Sequence, residues 1–205
     1  PGPAPAPRPA PPPPPRVPRT VLPAAALPPL SELAKTLMKI SQNLYAETAL
    51  RALSLSPGPA MVEASQKVVE QVLSRWGIAP RTYITADGAG LSRNNYVNAS
   101  MIVAILRAVA RDPQLFEPFL ATMPVAGEDG TLAGRMKGTR AAGNVKAKTG
   151  TIANVRSLSG YLTTAAGERI VFSMIANNFT TPSAVVDAAV EGALERVIAA
   201  PRPSR

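Results

Sequence analysis

Four consecutive residues, Lys148-Thr149-Gly150-Thr151, carry the densest chemistry in this chain. Lys148 offers a fixed positive charge and Thr149 a hydroxyl donor, a pairing suited to a carboxylate. Gly150 has no side chain, so a ligand or a nearby backbone can approach the strand closely. The backbone N–H of Thr151 would then point at an oxyanion developing on the adjacent bond. The same tetrapeptide reads equally well as a strand with a solvated lysine and a hairpin glycine, because short motifs also arise by chance.

Ser41-Gln42-Asn43 is the second constellation. A serine beside a lysine can shuttle a proton, and an asparagine two residues on can hydrogen-bond a substrate amide. Taken alone, the triplet is better explained as a helix boundary, where Ser and Asn are common caps. Lys39 just before it reads as a solvated helix lysine. The run Asp87-Gly88-Ala89-Gly90-Leu91-Ser92-Arg93-Asn94-Asn95 reads as a tight scaffold loop, with Arg93 able to pair with an acidic neighbour. In the glycine-rich segment from Val125 to Leu132, Asp129 is expected to bond its own loop backbone as an Asx-turn.

The elements that must position these residues follow from periodicity. Ser31 is an expected N-cap, with Leu33, Leu37 and Ile40 at helical spacing behind it. The apolar pattern continues through Leu44, Leu50 and Leu53, which fits one bent helix or two short ones. A second helix is expected over Met61 to Trp76, stopped by Gly77, and a third is capped by Asn98 and ends before Asp112-Pro113. Pro124 to Gly143 is mostly irregular, with one helical turn near Thr131. The period then changes, and three strands are expected over Val145 to Thr151, Ser157 to Thr164 and Arg169 to Ala176. The last two join across Ala166-Gly167 as a hairpin. Thr181-Pro182 reads as a cap and first position of a closing helix that runs to about Ala199. Helices, then an antiparallel meander, then a helix predict an α/β (α+β) fold with an antiparallel sheet flanked by helices.

Bulk composition narrows the chemistry. The 205 residues contain no cysteine and no histidine, which removes thiol catalysis, Cys/His zinc sites and any Ser-His-Asp triad. The formal charge of +9 comes partly from Arg8, Arg16, Arg19, Arg202 and Arg205 in proline-rich ends. No basic run is interleaved with aromatics, so no nucleic-acid partner is expected. No apolar run is long enough to span a bilayer, so no transmembrane segment is expected. No charged-then-apolar leader follows Pro1, so a signal peptide would lie outside this sequence. Residues 1–29 read as a Pro-rich disordered linker, 30–200 as the folded domain and 201–205 as a tail.

Read together, these segments resemble the low-molecular-mass class C penicillin-binding proteins, D-alanyl-D-alanine carboxypeptidases and endopeptidases of bacterial cell-wall metabolism. The resemblance runs through Met38 to Glu47, the Asp87 stretch, Ala126 to Leu132, and Lys146-Ala147-Lys148-Thr149-Gly150-Thr151. Leu158-Ser159-Gly160-Tyr161 and Asn177-Asn178-Phe179 extend it. It implies part of a penicillin-binding transpeptidase/serine β-lactamase-like domain, working without a metal or other cofactor, in the periplasm or otherwise outside the cytoplasm. It implies as partners a peptidoglycan stem peptide ending in D-Ala-D-Ala, and β-lactams; it leaves the oligomeric state open. By the same resemblance Ser41, Asn43 and Lys148 are catalytic, and Thr149, Gly150 and Thr151 line the substrate-binding strand. The chain departs from the pattern at Gln42, where the family usually has Asp, and at Ala89, where Ser is usual.

The family's nucleophile belongs to a Ser-x-x-Lys motif, and no serine here has a lysine three residues on: Ser31 has Ala34, Ser41 has Leu44 and Ser65 has Val68. Thr36-Leu37-Met38-Lys39 has the spacing but a threonine. The chain therefore reads as the C-terminal part of such an enzyme, inactive by itself. The alternatives are a non-catalytic peptidoglycan-binding remnant and a basic scaffold with a Pro-rich ligand arm. In the family's sheet the Lys-Thr-Gly strand and its neighbours pack beside elements of the other half, so an unpaired edge is expected here.

Overall fold

A three-stranded antiparallel sheet organises the chain, in the order β1 (Lys146–Ile152), β2 (Val155–Thr163) and β3 (Arg169–Asn177). The structure is a computed structural model and describes Gly2, residues 28–54, Gly58 and residues 60–201. The linker expected over 1–29 and the tail over 201–205 fall outside these, apart from Gly2, Pro28, Pro29 and Pro201.

Among the described residues six helices accompany the sheet: α1 (Leu30–Ile40), α2 (Asn43–Arg51), α3 (Ala60–Arg75), α4 (Ala99–Arg111), α5 (Pro113–Thr122) and α6 (Ser183–Ala199). The expected mixed fold is thus present, with strand limits displaced by one or two residues. Of the two possibilities for the first helical stretch, the two-helix one is realised, because Ser41 takes a left-handed conformation (φ 58°, ψ 51°) and ends α1.

Three local expectations are corrected. Ser31 does not cap α1: the carbonyl of Pro29 accepts from the N–H groups of Glu32 and Leu33, so the helix begins at Leu30. Thr181 does not cap α6 either, since Pro182 occupies the cap position and the helix begins at Ser183. Asp112-Pro113 ends one helix and also starts another. Asp112 accepts from the N–H groups of Gln114 and Leu115, and Pro113 takes the first position of α5, where a missing N–H costs nothing.

Side chains alternate across the sheet, so each strand feeds two environments. Ala147, Leu158, Leu162 and Phe172 point to one face and bury against Leu194 and Ile198 of α6 and against Leu132, Met136 and Val145 of the preceding loop. On the opposite face, Tyr161 and Val171 pack with Leu106, Val109 and Phe116 of α4 and α5. The Tyr161 hydroxyl donates to the Leu106 carbonyl at 2.8 Å, and burial pushes its pKa up to about 12, against a smaller opposing pull from Arg169. Beyond Tyr161 this second face opens towards Gly150, Ser157 and Ile175, which line a cleft. Among the described residues no strand pairs with the outer edge of β3.

Candidate active site

The cleft, of about 880 Å³, is bounded by β1, by the break between α1 and α2, and by the loop of residues 88–97. Ser41, Asn43, Lys148, Thr149, Gly150 and Thr151 all line it. Residues more than a hundred positions apart in sequence are therefore brought to one site.

The α1–α2 break aims Ser41. A non-glycine residue in the left-handed region costs about 1 kcal/mol, and here it turns the serine hydroxyl out of the helix end towards β1. Lys148 Nζ donates to Ser41 Oγ at 2.8 Å and also to the carbonyl of Thr149 at 2.8 Å. Burial holds the Lys148 amine below its ordinary pKa of 10.5, because the charged form is poorly solvated there. A depressed amine in contact with a hydroxyl is equipped to exchange a proton with it. Gln42 caps α2 through its side-chain oxygen, which accepts from the Leu44 N–H at 3.2 Å. This is the local job an aspartate would do, so the departure at this position keeps the turn. Asn43, the first residue of α2, is exposed to the cleft.

The strand side is equally defined. The Ala147 N–H, on the outer edge of β1, donates to the Pro124 carbonyl at 3.0 Å. By the two-residue alternation of a strand, the N–H groups of Thr149 and Thr151 point to that same edge, which is where an oxyanion would be met. Thr149 Oγ1 donates to Thr131 Oγ1 at 2.9 Å. Gly150 is needed for close approach: a Cβ there would lie 2.3 Å from Ser157 Oγ.

Sequence reasoning missed the clasp that joins these two sides. Lys39 is no solvated lysine; its Nζ meets Asp129 Oδ2 at 2.5 Å. Asp129 Oδ1 accepts from the Val125 N–H at 2.9 Å, the expected bond to its own loop. Burial pushes the Asp129 carboxyl up, but the Lys39 and Val125 hydrogen bonds and the charges of Lys39 and Lys146 outweigh it and hold the pKa below 3.8. Gly130 makes the approach possible, since a Cβ there would lie 2.4 Å from the Lys39 carbonyl. The end of α1, the 3₁₀ turn Gly130–Leu132 and β1 are thus stitched together through Lys39–Asp129 and Thr131–Thr149.

The Asp87 loop is a scaffold, as its composition suggests. Asp87 accepts from the N–H groups of Gly90 (2.7 Å) and Ser92 (2.8 Å) and from Asn95 Nδ2 (2.8 Å), while Gly88 N–H donates to Glu47 Oε2 at 2.8 Å. Arg93 differs from expectation. It makes no ion pair among the described residues and instead lines the cleft, exposed.

Comparison with known proteins decides the family. The D-Ala-D-Ala carboxypeptidase 3 (S13) family matches residues 14–198. The chain belongs to that family. It is 34% identical over 157 residues to the D-alanyl-D-alanine carboxypeptidase DacB of Haemophilus influenzae, covering 75% of this chain and 33% of that protein. It is 39% identical over 167 residues to the D-alanyl-D-alanine carboxypeptidase of Actinomadura sp. strain R39, covering 78% of this chain and 31% of that protein. This S13 chain therefore spans about a third of the length of the curated relatives it matches. Its fold superposes on the crystal structure of penicillin binding protein 4 from H. influenzae with a TM-score of 0.75 and 28% identity, over 83% of this chain and 40% of that one. A TLA-1 β-lactamase structure shares the fold alone, at 17% identity and a TM-score of 0.61 over 82% of this chain and 64% of that one. No helix among the described residues is long and apolar enough to cross a membrane.

Proposed function

We propose that this chain forms one wall of a serine-type D-Ala-D-Ala carboxypeptidase/endopeptidase site acting on peptidoglycan stem peptides outside the cytoplasm, and that the isolated chain does not itself acylate. The observation that carries the reading is the Lys148 Nζ to Ser41 Oγ contact of 2.8 Å, which couples the two motifs across the cleft. In this reading Lys148 and the Thr149 hydroxyl hold the terminal carboxylate of the stem peptide. Asn43 bonds a substrate amide, and the Thr151 N–H faces the oxyanion. Ser41 relays a proton between Lys148 and the leaving amine.

The complete reaction is two-step acyl transfer. A serine oxygen attacks the penultimate D-Ala carbonyl, and the C–N bond breaks as the leaving D-Ala nitrogen takes up the proton given up by the serine. Water then adds to the ester and releases the shortened peptide. No serine of this sequence has a lysine three residues on, so the nucleophile of the S13 pattern is not supplied by residues 1–205. Incubation with a fluorescent penicillin is expected to leave the chain unlabelled, while a stem peptide ending in D-Ala-D-Ala binds reversibly and weakly. Covalent labelling would overturn the inactivity.

One observation favours a second reading: a depressed lysine amine touching Ser41 Oγ is the arrangement of a Ser–Lys nucleophile pair. A label that appears in the parent chain and vanishes in Ser41→Ala would establish it. Reversible binding without any turnover, even when the rest of a relative's chain is supplied, would favour a peptidoglycan-binding remnant.

A further inference from the structure

The loop that forms one bank of the cleft is built largely from its own bonds. Asp87 accepts from the Gly90 and Ser92 N–H groups and from Asn95 Nδ2, while Asn95 Oδ1 accepts from the Ala86 N–H at 2.7 Å. Its base is fixed by the Ile84–Tyr96 backbone pair, at 2.8 and 2.9 Å. Gln66 Nε2 of α3 adds a bond to the Thr85 carbonyl at 2.5 Å. None of these bonds reaches α2, the helix that begins with Asn43.

Glu47 makes that connection. Asn43, Glu47 and Arg51 stand four residues apart and so share one stripe of α2. Glu47 Oε2 accepts from the Gly88 N–H at 2.8 Å, and Oε1 accepts from Arg51 Nε at 3.0 Å. Each carboxylate oxygen thus has its own donor, and the charge makes the bond to the loop stronger than a neutral one. Only 27% of the Glu47 side chain is exposed, so water competes poorly for it. Gly88 brings the loop backbone onto the helix: a Cβ there would lie 2.6 Å from the Ala46 carbonyl oxygen and 2.9 Å from Leu50 Cβ.

We infer that Glu47 is a positioning residue, which fixes the loop of residues 88–97 to the helix that carries Asn43. Asn43 and Ala46 of α2 line the cleft together with Gly88, Ala89 and Tyr96 of the loop, so this bond sets how the two stand to each other. Without it the loop keeps its internal bonds and its base, and loses its hold on α2. A stem peptide running from β1 past Asn43 meets both walls, whereas a bare carboxylate meets β1 alone. The inference rests on the proposed role of Asn43.

The test uses the full chain, labelled with ¹⁵N, and reads hydrogen exchange at single amides. Beside it stands the affinity for two ligands, acetyl-Lys-D-Ala-D-Ala and propionate. Glu47→Ala should speed exchange at Gly88 on the order of tenfold, through loss of one charge-assisted hydrogen bond. The Gly90 and Ser92 amides, which Asp87 holds, should keep their parent rates. Glu47→Gln retains an acceptor and should restore most of the protection. Arg51→Ala should speed Gly88 less, and should add nothing when combined with Glu47→Ala. Tripeptide affinity should fall on the order of tenfold in Glu47→Ala, while propionate should bind as in the parent. Unchanged exchange at Gly88, equal acceleration at Gly90 and Ser92, or equal loss of both ligands would each overturn the inference. Should Glu47→Ala fail to fold, Glu47→Met carries the same reading, since it keeps the stem and the helix preference without the carboxylate. A parent chain that does not bind the tripeptide would count against the proposed function only, because exchange at Gly88 decides what Glu47 holds without a ligand.

Discussion

The two faces of the sheet come from the same three strands, yet one is sealed and the other is half open. On the α6 side, Ala147, Leu158, Leu162 and Phe172 are buried against Leu194 and Ile198. On the cleft side, the row below Tyr161 and Val171 holds Lys148, Ser159 and Ser173, and the next row holds Gly150, Ser157 and Ile175. Ser159 and Ser173 bond each other at 2.9 Å. Alternate residues thus carry stability and chemistry, so a one-residue register slip would destroy both.

Two glycines offer the sharpest way to break this comparison. Gly160 lies on the sealed face, where a Cβ would meet the Lys146 carbonyl at 2.1 Å and Ala147 Cα at 2.6 Å. Backbone cannot move aside, so Gly160→Ala is expected to cost about 3 kcal/mol or more in urea unfolding. Gly150 lies on the open face, where the only close atom is the Ser157 hydroxyl, free to swing to another rotamer. Gly150→Ala should therefore change stability by under about 1 kcal/mol while weakening peptide binding, because its methyl occupies the cleft floor. Equal destabilisation by the two substitutions would show that the open face is as tightly packed as the sealed one.

The sequence made the faces legible but hid what joins their surroundings. Period two over 146–177 and period near four in the helices reflect burial within single elements, and those elements appeared close to where they were expected. The α5 helix was missed because Asp112-Pro113 stops one helix and also caps the next. Pro113 with Leu115, Phe116, Phe119 and Leu120 was the signal available. The Lys39–Asp129 pair was not legible at all, since its partners are 90 residues apart and nothing local marks either one. The Thr131–Thr149 and Glu47–Gly88 bonds were hidden for the same reason. Of the candidate site, the residue types were readable and their tethers were not.

The Lys39–Asp129 clasp gives the next largest effect, because it holds the wall that faces the open side. Lys39→Ala should destabilise the chain by about 1 kcal/mol, reduced by the 44% exposure of the Asp129 side chain. Its pH dependence has a definite sign. Asp129 titrates below 3.8 in the folded chain, so its contribution is full above the unfolded value and is lost as the pH falls through the depressed one. Stability curves of the parent and Asp129→Asn should therefore converge in acid and stay apart at neutral pH. A constant gap down to the lowest pH would mean that the clasp is not ionic.

The smallest effect on stability, and the most diagnostic, belongs to Lys148. Burial lowers its pKa below 10.5, so the folded chain releases this proton before the unfolded chain does. Stability should then rise as the pH climbs from the depressed folded value towards 10.5, since the unfolded state binds more protons across that window. Affinity for a carboxylate ligand should move the other way over the same range, because it needs the charge that is being lost. Opposite slopes for folding and binding are the signature of one buried amine serving both. Lys148→Met should flatten both and weaken binding on the order of tenfold or more. Lys148→Arg keeps a charge that does not titrate there, and should leave binding independent of pH in the window. Parallel slopes in the parent, measured by calorimetric binding and chemical unfolding at matched pH, would place the titrating group elsewhere and remove Lys148 from the open face's chemistry.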